Sequence, residues 1–300
     1  MAALAALGRA LRGAFISVAA VVSLAGAPAL AQPAIWAVKD ADSTIYMLGT
    51  VHLLRPETAW RSDKLDKAIA EAKELWLELP TTDPAAMAGE MMPLVAQYGL
   101  SPGRPLSSSL TPEEMKQVDE AAKLAGLSGA QLNMFRPWFA ALTISNAAIM
   151  RAGYDPMSGV DSKIEKLFAE RGIKPKGLET AEQQIKVFAG MNAEQELRYL
   201  RETIEEYEDA PTELDQMVDQ WSKADLPAME QMFVTEMKVE EPDLYAALLT
   251  NRNANWVTQI EGILAGQGVS FMAVGAGHLI GPDSVIAMLD AKGIKAERVQ

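Results

Sequence analysis

The two histidines of the chain are the residues whose positions most constrain its chemistry. His52 and His278 each stand three positions after a glycine, Gly49 or Gly275, and each is followed by leucine, so both segments read G-x-x-H-L. A glycine where a strand ends lets the backbone turn sharply, which places the residue three positions later at the lip of the sheet. Ligands bind at that lip in α/β sheets. The repeated motif therefore predicts that the two histidines share one functional site.

A carboxylate belongs to the same predicted site. Glu78 lies between two leucines in the apolar run 75–79, which predicts a largely buried strand. A buried carboxylate must be paired or bound to something. Two histidines and a carboxylate with open positions form the ligand set of a catalytic divalent site, which could hold zinc, manganese, cobalt or iron and activate a bound water. The same groups could work without metal, with Glu78 or one histidine as general base and the other histidine as acid or oxyanion stabiliser.

The elements that must position these residues predict an α/β (α+β) fold. Apolar runs indicate strands at 35–38, 44–48, 75–79, 269–274 and 294–299. The run 269–274 is apolar on both faces, so it belongs in the middle of the sheet, and a turn at 40–42 joins the first two strands as a hairpin. The capping residues Ser62, Thr111 and Thr180 predict helix starts. Helical periodicity predicts further helices near 136–151, 160–171, 192–208, 212–223, 226–236, 253–265 and 282–289. We expect a central mixed β-sheet with flanking helices and a large α-helical insert.

Composition excludes several classes of function. The chain of 300 residues has no cysteine, which rules out disulfide scaffolds, cysteine nucleophiles and thiolate zinc sites. Its formal net charge of -13 argues against a nucleic-acid partner, because proteins that bind by neutralising phosphates carry clustered Lys and Arg. A hydrophobic fraction of 49% is typical of a folded globular protein.

The first 31 residues have the pattern of a secretory signal. Arg9 and Arg12 precede an apolar run at 14–24, and an A-x-A cleavage site ends at Ala31. That run is too short to span a bilayer comfortably, and no later stretch is long and apolar enough to do so, so we expect no stable membrane insertion after cleavage. The sequence predicts a periplasmic or secreted protein with a single domain over 32–300.

The order of these motifs resembles that of the TraB/GumN family (TraB/PrgY/GumN), which is related to Tiki-type metalloproteases, ChaN-like haem-binding proteins and erythromycin esterases. The resemblance extends over essentially the whole mature chain. Beyond the two histidine motifs, it rests on the segments 77–79, 136–138, 159–161, 177–184 and 251–253. The family implies a mixed α/β fold whose paired histidine motifs and glutamate form the active site. Tiki-type members are described as divalent-metal-dependent proteases, and erythromycin esterases as His/Glu hydrolases that need no metal.

Carried onto this chain, the resemblance implies roles for individual residues. His52, Glu78 and His278 would be the catalytic core or the metal ligands, and Arg252 would stabilise negative charge on the substrate. Substrate contacts would come from Arg55, Asp161 and Glu179. The alternatives are a helix-end ion pair for Arg252 and capping or solvent-facing roles for the two acids.

These expectations lead to one main hypothesis of function. The chain is predicted to be an exported hydrolase, a divalent-metal-dependent peptidase or amidase that acts on a peptide or small-molecule substrate. A metal-independent His/Glu hydrolase is the variant of this hypothesis. The alternative is a non-catalytic periplasmic protein that binds a peptide, haem or a metal ion in the same cleft. A third possibility is a protein that acts in export or conjugation through contacts with other proteins.

Overall fold

The sheet of this protein has six strands, and helices cover it. The computed structural model describes residues 32–300, so the predicted signal peptide lies outside the described residues. The strands are β1 (Ile35–Lys39), β2 (Ser43–Thr50), β3 (Glu74–Leu77), β4 (Pro175–Gly177), β5 (Gly268–Gly275) and β6 (Ala296–Arg298). Their order in the sheet is β4-β3-β5-β2-β1-β6. The neighbours β4, β3, β5 and β2 run parallel, whereas β1 is antiparallel to both β2 and β6.

The first two strands form the predicted hairpin. Asp40 closes its turn, because Oδ1 of this residue accepts hydrogen bonds from the N–H groups of Asp42 at 3.1 Å and Ser43 at 2.8 Å. Aspartate favours such turns because its short carboxylate can accept from backbone N–H groups a few residues later. The turn sets the register in which Ile35 lies opposite Leu48.

The centre of the sheet is β5, as its continuous apolar run predicts. This strand lies between β3 and β2, and its residues from Ser270 to Val274 are buried. The ring of Phe271 is fully buried and lies 6.0 Å from that of Phe168. Full burial of such a side chain contributes about 1.5–3 kcal/mol. Because β5 and its parallel neighbours end at the same edge, the residues that follow them are brought close together.

Helices occupy most of the chain between β3 and β5, which confirms the predicted helical insert. The helices are α1 (Asp63–Glu71), α2 (Pro84–Leu94), α3 (Pro112–Ala122), α4 (Gly129–Leu132), α5 (Pro137–Arg151), α6 (Val160–Ala169), α7 (Ala181–Ala189), α8 (Ala193–Glu206), α9 (Ala210–Ser222), α10 (Leu226–Glu230), α11 (Glu236–Glu240), α12 (Pro242–Tyr245), α13 (Asn251–Leu264) and α14 (Val285–Ala291). The predicted caps are present at Ser62, Thr111 and Thr180, whose side chains accept from backbone N–H groups in the first turn. Within residues 32–300, no helix has both the length and the hydrophobicity that a membrane crossing requires.

Several elements of the structure differ from the sequence prediction. The predicted helix 226–236 is divided, because the π-helical turn Gln231–Thr235 separates α10 from α11. The predicted helix 282–289 starts three residues later, since Ser284 caps it by accepting from the N–H of Ala287. The short strand β4 has no counterpart in the prediction, because three residues that include proline and glycine carry no strand signal.

Apolar side chains form two clusters. The larger cluster lies between the sheet and its covering helices and includes Ile45, Leu75 and Met272, all fully buried. The smaller cluster joins helices of the insert around Trp138 and Leu200. The larger cluster packs directly against the strands whose ends carry the candidate site.

Candidate functional site

Four neighbouring parallel strands deliver polar side chains to one edge of the sheet. His52 lies two residues after β2, and Glu78 directly follows β3. Glu179 lies two residues after β4, and His278 lies in the 3₁₀ turn Ala276–Leu279 that follows β5. The structure therefore brings both histidines and the predicted glutamate into one place, with Glu179 beside them. Glu78 stands just beyond its strand rather than inside it.

Glu78 is the centre of this arrangement. Its Oε1 lies 3.8 Å from Nε2 of His52 and 3.8 Å from Nε2 of His278. The same oxygen accepts a hydrogen bond from the N–H of Gly275 at 2.7 Å. Burial opposes ionisation of this carboxyl, but the charges of Arg252 and His52 and the Gly275 N–H together hold the pKa of Glu78 well below its usual range. Glu78 is therefore a carboxylate at neutral pH.

The two motif glycines are required for space and not for an unusual backbone conformation. Gly275 has φ -49°, which any residue can adopt. A Cβ at this position would lie 3.1 Å from Oε1 of Glu78 and 3.2 Å from Nε2 of His52. At Gly49 a Cβ would lie 3.0 Å from Cα of Ala276, where the end of β2 packs on the turn after β5. The sharp-turn explanation of these glycines was wrong, and close approach replaces it.

Arg252, at the start of α13, connects the buried acids to His278. Its Nη2 donates to Oε2 of Glu78 at 2.6 Å and to Glu179, and its Nε donates to Glu179 at 3.0 Å. Its Nη1 donates to the carbonyl of Leu248 at 3.0 Å and lies 3.0 Å from Nε2 of His278. These contacts use all five N–H groups of the guanidinium. Arg252 thus holds groups of the protein in position and has no N–H left for a substrate.

Gln184 is a site residue to which the sequence analysis assigned no role. Its side-chain amide donates to Oε2 of Glu78 at 3.1 Å and to Oε1 of Glu179 at 2.8 Å. The sequence feature that indicates this role is its position in α7, one turn after the capping residue Thr180 and close to Glu179. With Arg252, this amide provides hydrogen bonds to two buried carboxylates.

His278 is held in one neutral form. The amide nitrogen of Asn253 donates to the carbonyl of Asp283 at 2.7 Å, which turns Oδ1 of Asn253 toward Nδ1 of His278 at 2.6 Å. Nδ1 therefore carries the proton, and Nε2 accepts from Arg252. Burial lowers the pKa of His278 to about 3, and the Arg252 charge acts in the same direction. The ring also packs against Trp256, with centroids 4.3 Å apart.

His52 has the opposite environment. Its Nδ1 lies 2.7 Å from Oδ2 of Asp161, and Oδ1 of that acid accepts from the hydroxyl of Thr50 at 2.7 Å. The surrounding protein opposes protonation, but the charges of Asp161 and Glu78 outweigh it and raise the pKa of His52 to about 9. About half of the His52 side chain is exposed. At neutral pH its Nε2 is therefore protonated and accessible from the cleft.

The start of α6 is fitted closely to the backbone of His52. The N–H of Val160 donates to the carbonyl of Val51 at 3.0 Å. A Cβ on Gly159 would lie only 2.1 Å from the His52 carbonyl oxygen, so glycine alone allows this approach. This contact explains why a Gly-Val-Asp segment precedes the helix, because it brings the buried Asp161 to the imidazole.

The structure places Arg55 away from the other predicted site residues. Its guanidinium donates to Asp215 at 3.1 Å and to the carbonyl of Ala152 at 2.7 Å, and it lies over the ring of Tyr154. These contacts join the loop after β2 to α9. The geometry gives Arg55 a role in packing of the insert.

A cavity of about 180 Å³ opens beside His52. One side of the cavity, named here the polar floor, is formed by His52, Glu78, Arg252 and His278. The rest of the lining is largely apolar, with the side chains of Val51, Leu53, Ile149, Leu214, Met217, Met229, Phe233, Met237, Leu248 and Leu249. Pockets with apolar walls and a few convergent polar groups are typical small-molecule sites.

As arranged here, the three predicted metal ligands do not fit a resident divalent ion. Metal ligands must offer free lone pairs. Nε2 of His278 accepts from the cationic Arg252, so its lone pair is not free. Among residues 32–300, no group of three or more His, Asp or Glu side chains has a metal-binding arrangement. The divalent metal stays a prediction.

Comparison with known proteins identifies the family. The family model described as TraB/PrgY/gumN matches residues 34–298. A protein of Treponema pallidum (strain Nichols), described as uncharacterized, is 21% identical over 267 residues, which cover 85% of this chain and 79% of that protein. No solved structure matches the chain. Because the family model spans nearly all the described residues and both histidine motifs, the chain belongs to the TraB/PrgY/gumN family.

Proposed function

We propose that this protein is an exported hydrolase that cleaves an amide bond of a peptide or small molecule, with His52 as the group that moves the proton. The observation that supports this function best is the Asp161–His52 pair, which directs Nε2 of His52 at the cleft with Oε1 of Glu78 only 3.8 Å away. An acid that holds Nδ1 of a histidine orients the ring and stabilises the imidazolium that forms during catalysis.

In the proposed reaction, neutral His52 accepts a proton from water at Nε2 while the water oxygen attacks the carbonyl carbon. The resulting imidazolium, paired with Asp161, then donates this proton to the leaving amine. Glu78 orients the attacking water, because a water to one side of the 3.8 Å line between its oxygen and Nε2 can hydrogen-bond to both. Arg252, the Gln184 amide and the Gly275 N–H hold Glu78 in place.

This mechanism uses no metal. Its metal-dependent variant would require Arg252 to release His278 and His52 to lose its proton before the ion could bind.

Export is proposed separately, from the signal pattern of the first 31 residues. Mass analysis of the N-terminus of the secreted chain should find Gln32 as its first residue.

The test is hydrolysis of a peptide and acyl-amide library by the mature chain and by His52→Gln, before and after dialysis against EDTA. We expect activity to survive EDTA and to be lost in His52→Gln. The Gln amide can still donate to the buried Asp161 but removes its charge partner, so the unfolding midpoint should fall while circular dichroism should show a folded variant at the assay temperature. Loss of activity in EDTA with recovery on adding Mn²⁺, Co²⁺ or Zn²⁺ would contradict the metal-independent mechanism.

A binding protein is the second candidate, and one observation favours it. All N–H groups of Arg252 and both buried acids of the site are already hydrogen-bonded within the protein, while the cavity walls are apolar. Such a pocket can hold a ligand without chemistry. Native mass spectrometry that detects a bound ligand, together with no turnover across the library, would support this function against the hydrolase.

A further inference from the structure

The apolar side chains that line the cavity are named here the apolar wall. Leu53, Met217, Phe233 and Leu248 are only partly buried there, and none of them has a charged or hydrogen-bonding side chain. Partly exposed apolar residues that converge on one cavity still have apolar surface in contact with water, and a bound ligand would cover it. The gain would be about 25 cal/mol for each square ångström of apolar area removed from water.

Two π-helical turns build part of this wall. Gln231–Thr235 contributes Phe233, and Ala246–Thr250 contributes Leu248 and Leu249. A π turn inside a helix is rare and occurs frequently at functional sites. The helical insert therefore departs from regular α-helix at two of the places where it lines the cavity.

Three residues of the apolar wall are methionines, whose side chains are flexible. Met217, Met229 and Met237 line the cavity from α9, α10 and α11. Methionine is unbranched and flexible, so it adapts to apolar ligands of varying shape. A wall of this kind suits a flexible aliphatic chain better than a rigid ring.

The size of the cavity sets the length of such a chain. A water molecule needs about 10–15 Å³ of cavity volume. A cavity of 180 Å³ thus has room for on the order of ten non-hydrogen atoms. A linear acyl amide of medium length, such as octanamide, has this size.

We propose that the apolar wall is a subsite for a linear aliphatic acyl chain, so that the substrate is an amide or ester of a medium-chain carboxylic acid. The carbonyl group would lie at the polar floor near His52, and the chain would lie along Met217 and Phe233. This inference rests on the proposed function for the reaction, whereas the chain-binding subsite itself depends only on the cavity.

The subsite is tested first by binding, without reference to catalysis. Isothermal titration of the mature chain with butanamide, hexanamide and octanamide should show affinity rising about fourfold for each added methylene. Met217→Trp fills the cavity and should weaken octanamide binding by at least about tenfold. Met217→Ala enlarges the cavity and should favour decanamide over octanamide. The matched control is Met150→Trp, since Met150 is half exposed on α5 and does not line the cavity.

Hydrolysis of N-acyl p-nitroanilides from acetyl to octanoyl separates the two proposals. We expect kcat/KM to increase with chain length in the parent and in Met150→Trp, and to lose this dependence in Met217→Trp. Hydrolysis at a rate independent of chain length would overturn the acyl subsite but would still support the hydrolase function. Binding that depends on chain length, without any hydrolysis, would support the acyl subsite and contradict the hydrolase function. Affinity for the amides that does not change with chain length would overturn the subsite.

Discussion

The two histidines occupy the same sequence motif but have opposite protonation. His52 has Asp161 at Nδ1 and Glu78 near Nε2, so acids on both sides keep it charged. His278 is buried and accepts from Arg252, so it stays neutral. A ring held neutral by a cation cannot exchange a proton readily, whereas the half-exposed ring can. The difference assigns proton transfer to His52 and a positioning role to His278.

Replacing Asp161 should lower the pKa of His52, because the variant Asp161→Asn removes the charge that stabilises the imidazolium. In the parent we expect kcat/KM to rise with pH up to about 9 and then to level off, as the neutral base forms. In Asp161→Asn the midpoint should move down by roughly one to two pH units. NMR titration of the histidine ring protons measures the same pKa directly, since the chain has only two histidines.

Thr50→Val is the control for this prediction. It removes the hydroxyl that donates to Asp161 but keeps the carboxylate charge, so the His52 midpoint should move by less than in Asp161→Asn. An unchanged His52 titration in Asp161→Asn would show that this acid does not set the charge of the imidazole. A profile that falls as pH increases toward 9 would show that His52 acts first as an acid.

At the scale of elements, the site depends on how closely strand ends approach the turns beside them. The N–H of Gly275, at the end of β5, reaches Glu78 at the end of β3, and α6 reaches the backbone after β2 through Gly159. Side chains at these contacts would separate the elements. Sheet-edge geometry and packing distance, rather than backbone flexibility, account for these glycines.

Gly275→Ala should impair activity more than it impairs folding. Its Cβ would come within 3.2 Å of Glu78 and His52, and the backbone at this position suits alanine. We expect kcat/KM to fall by about tenfold or more, the effect of a displaced catalytic group, with a stability cost of about 1 kcal/mol. The matched control is Gly262→Ala in α13, which does not line the cavity and where the new Cβ would have no heavy atom within 4 Å. Equal activity of the two variants, measured with the same acyl amide, would contradict the crowding argument.

At the scale of the whole molecule, an acidic group that is not part of the polar floor links folding to pH. Glu213 in α9 is 4% exposed, and burial together with the charges of Glu206 and Asp209 raises its pKa to about 7 from 4.5. The folded chain therefore binds this proton more tightly than the unfolded chain does. Its contribution to the free energy of unfolding is complete below pH 4.5 and is lost as pH rises to about 7.

Glu213→Gln should remove this pH dependence, because the amide stays neutral. Urea unfolding should show the variant more stable than the parent by roughly 1–3 kcal/mol at about pH 8 and nearly equal to it below about pH 5. Glu240→Gln, on the exposed end of α11, is the control and should leave the difference between the two pH values unchanged. A constant difference between Glu213→Gln and the parent at both pH values would show that Glu213 does not titrate on folding.

The sequence by itself determined the sheet, the helical insert and the residues at the sheet edge, because these depend on local patterns. Apolar periodicity predicted the hairpin and the central strand β5, and the repeated G-x-x-H motif pointed to His52 and His278. Family membership follows from the same motifs and is confirmed by the family model.

Only the tertiary structure decided what these groups can do. Strand β4 forms only by pairing with β3, and it brings Glu179 beside Glu78. The contacts of Arg252 with Glu78 and His278, and of Asp161 with His52, join residues 26 to 174 positions apart. Charge state depends on burial and on the nearest charges in space, neither of which spacing along the chain specifies. For this physical reason, two identical motifs yield one charged histidine and one neutral histidine.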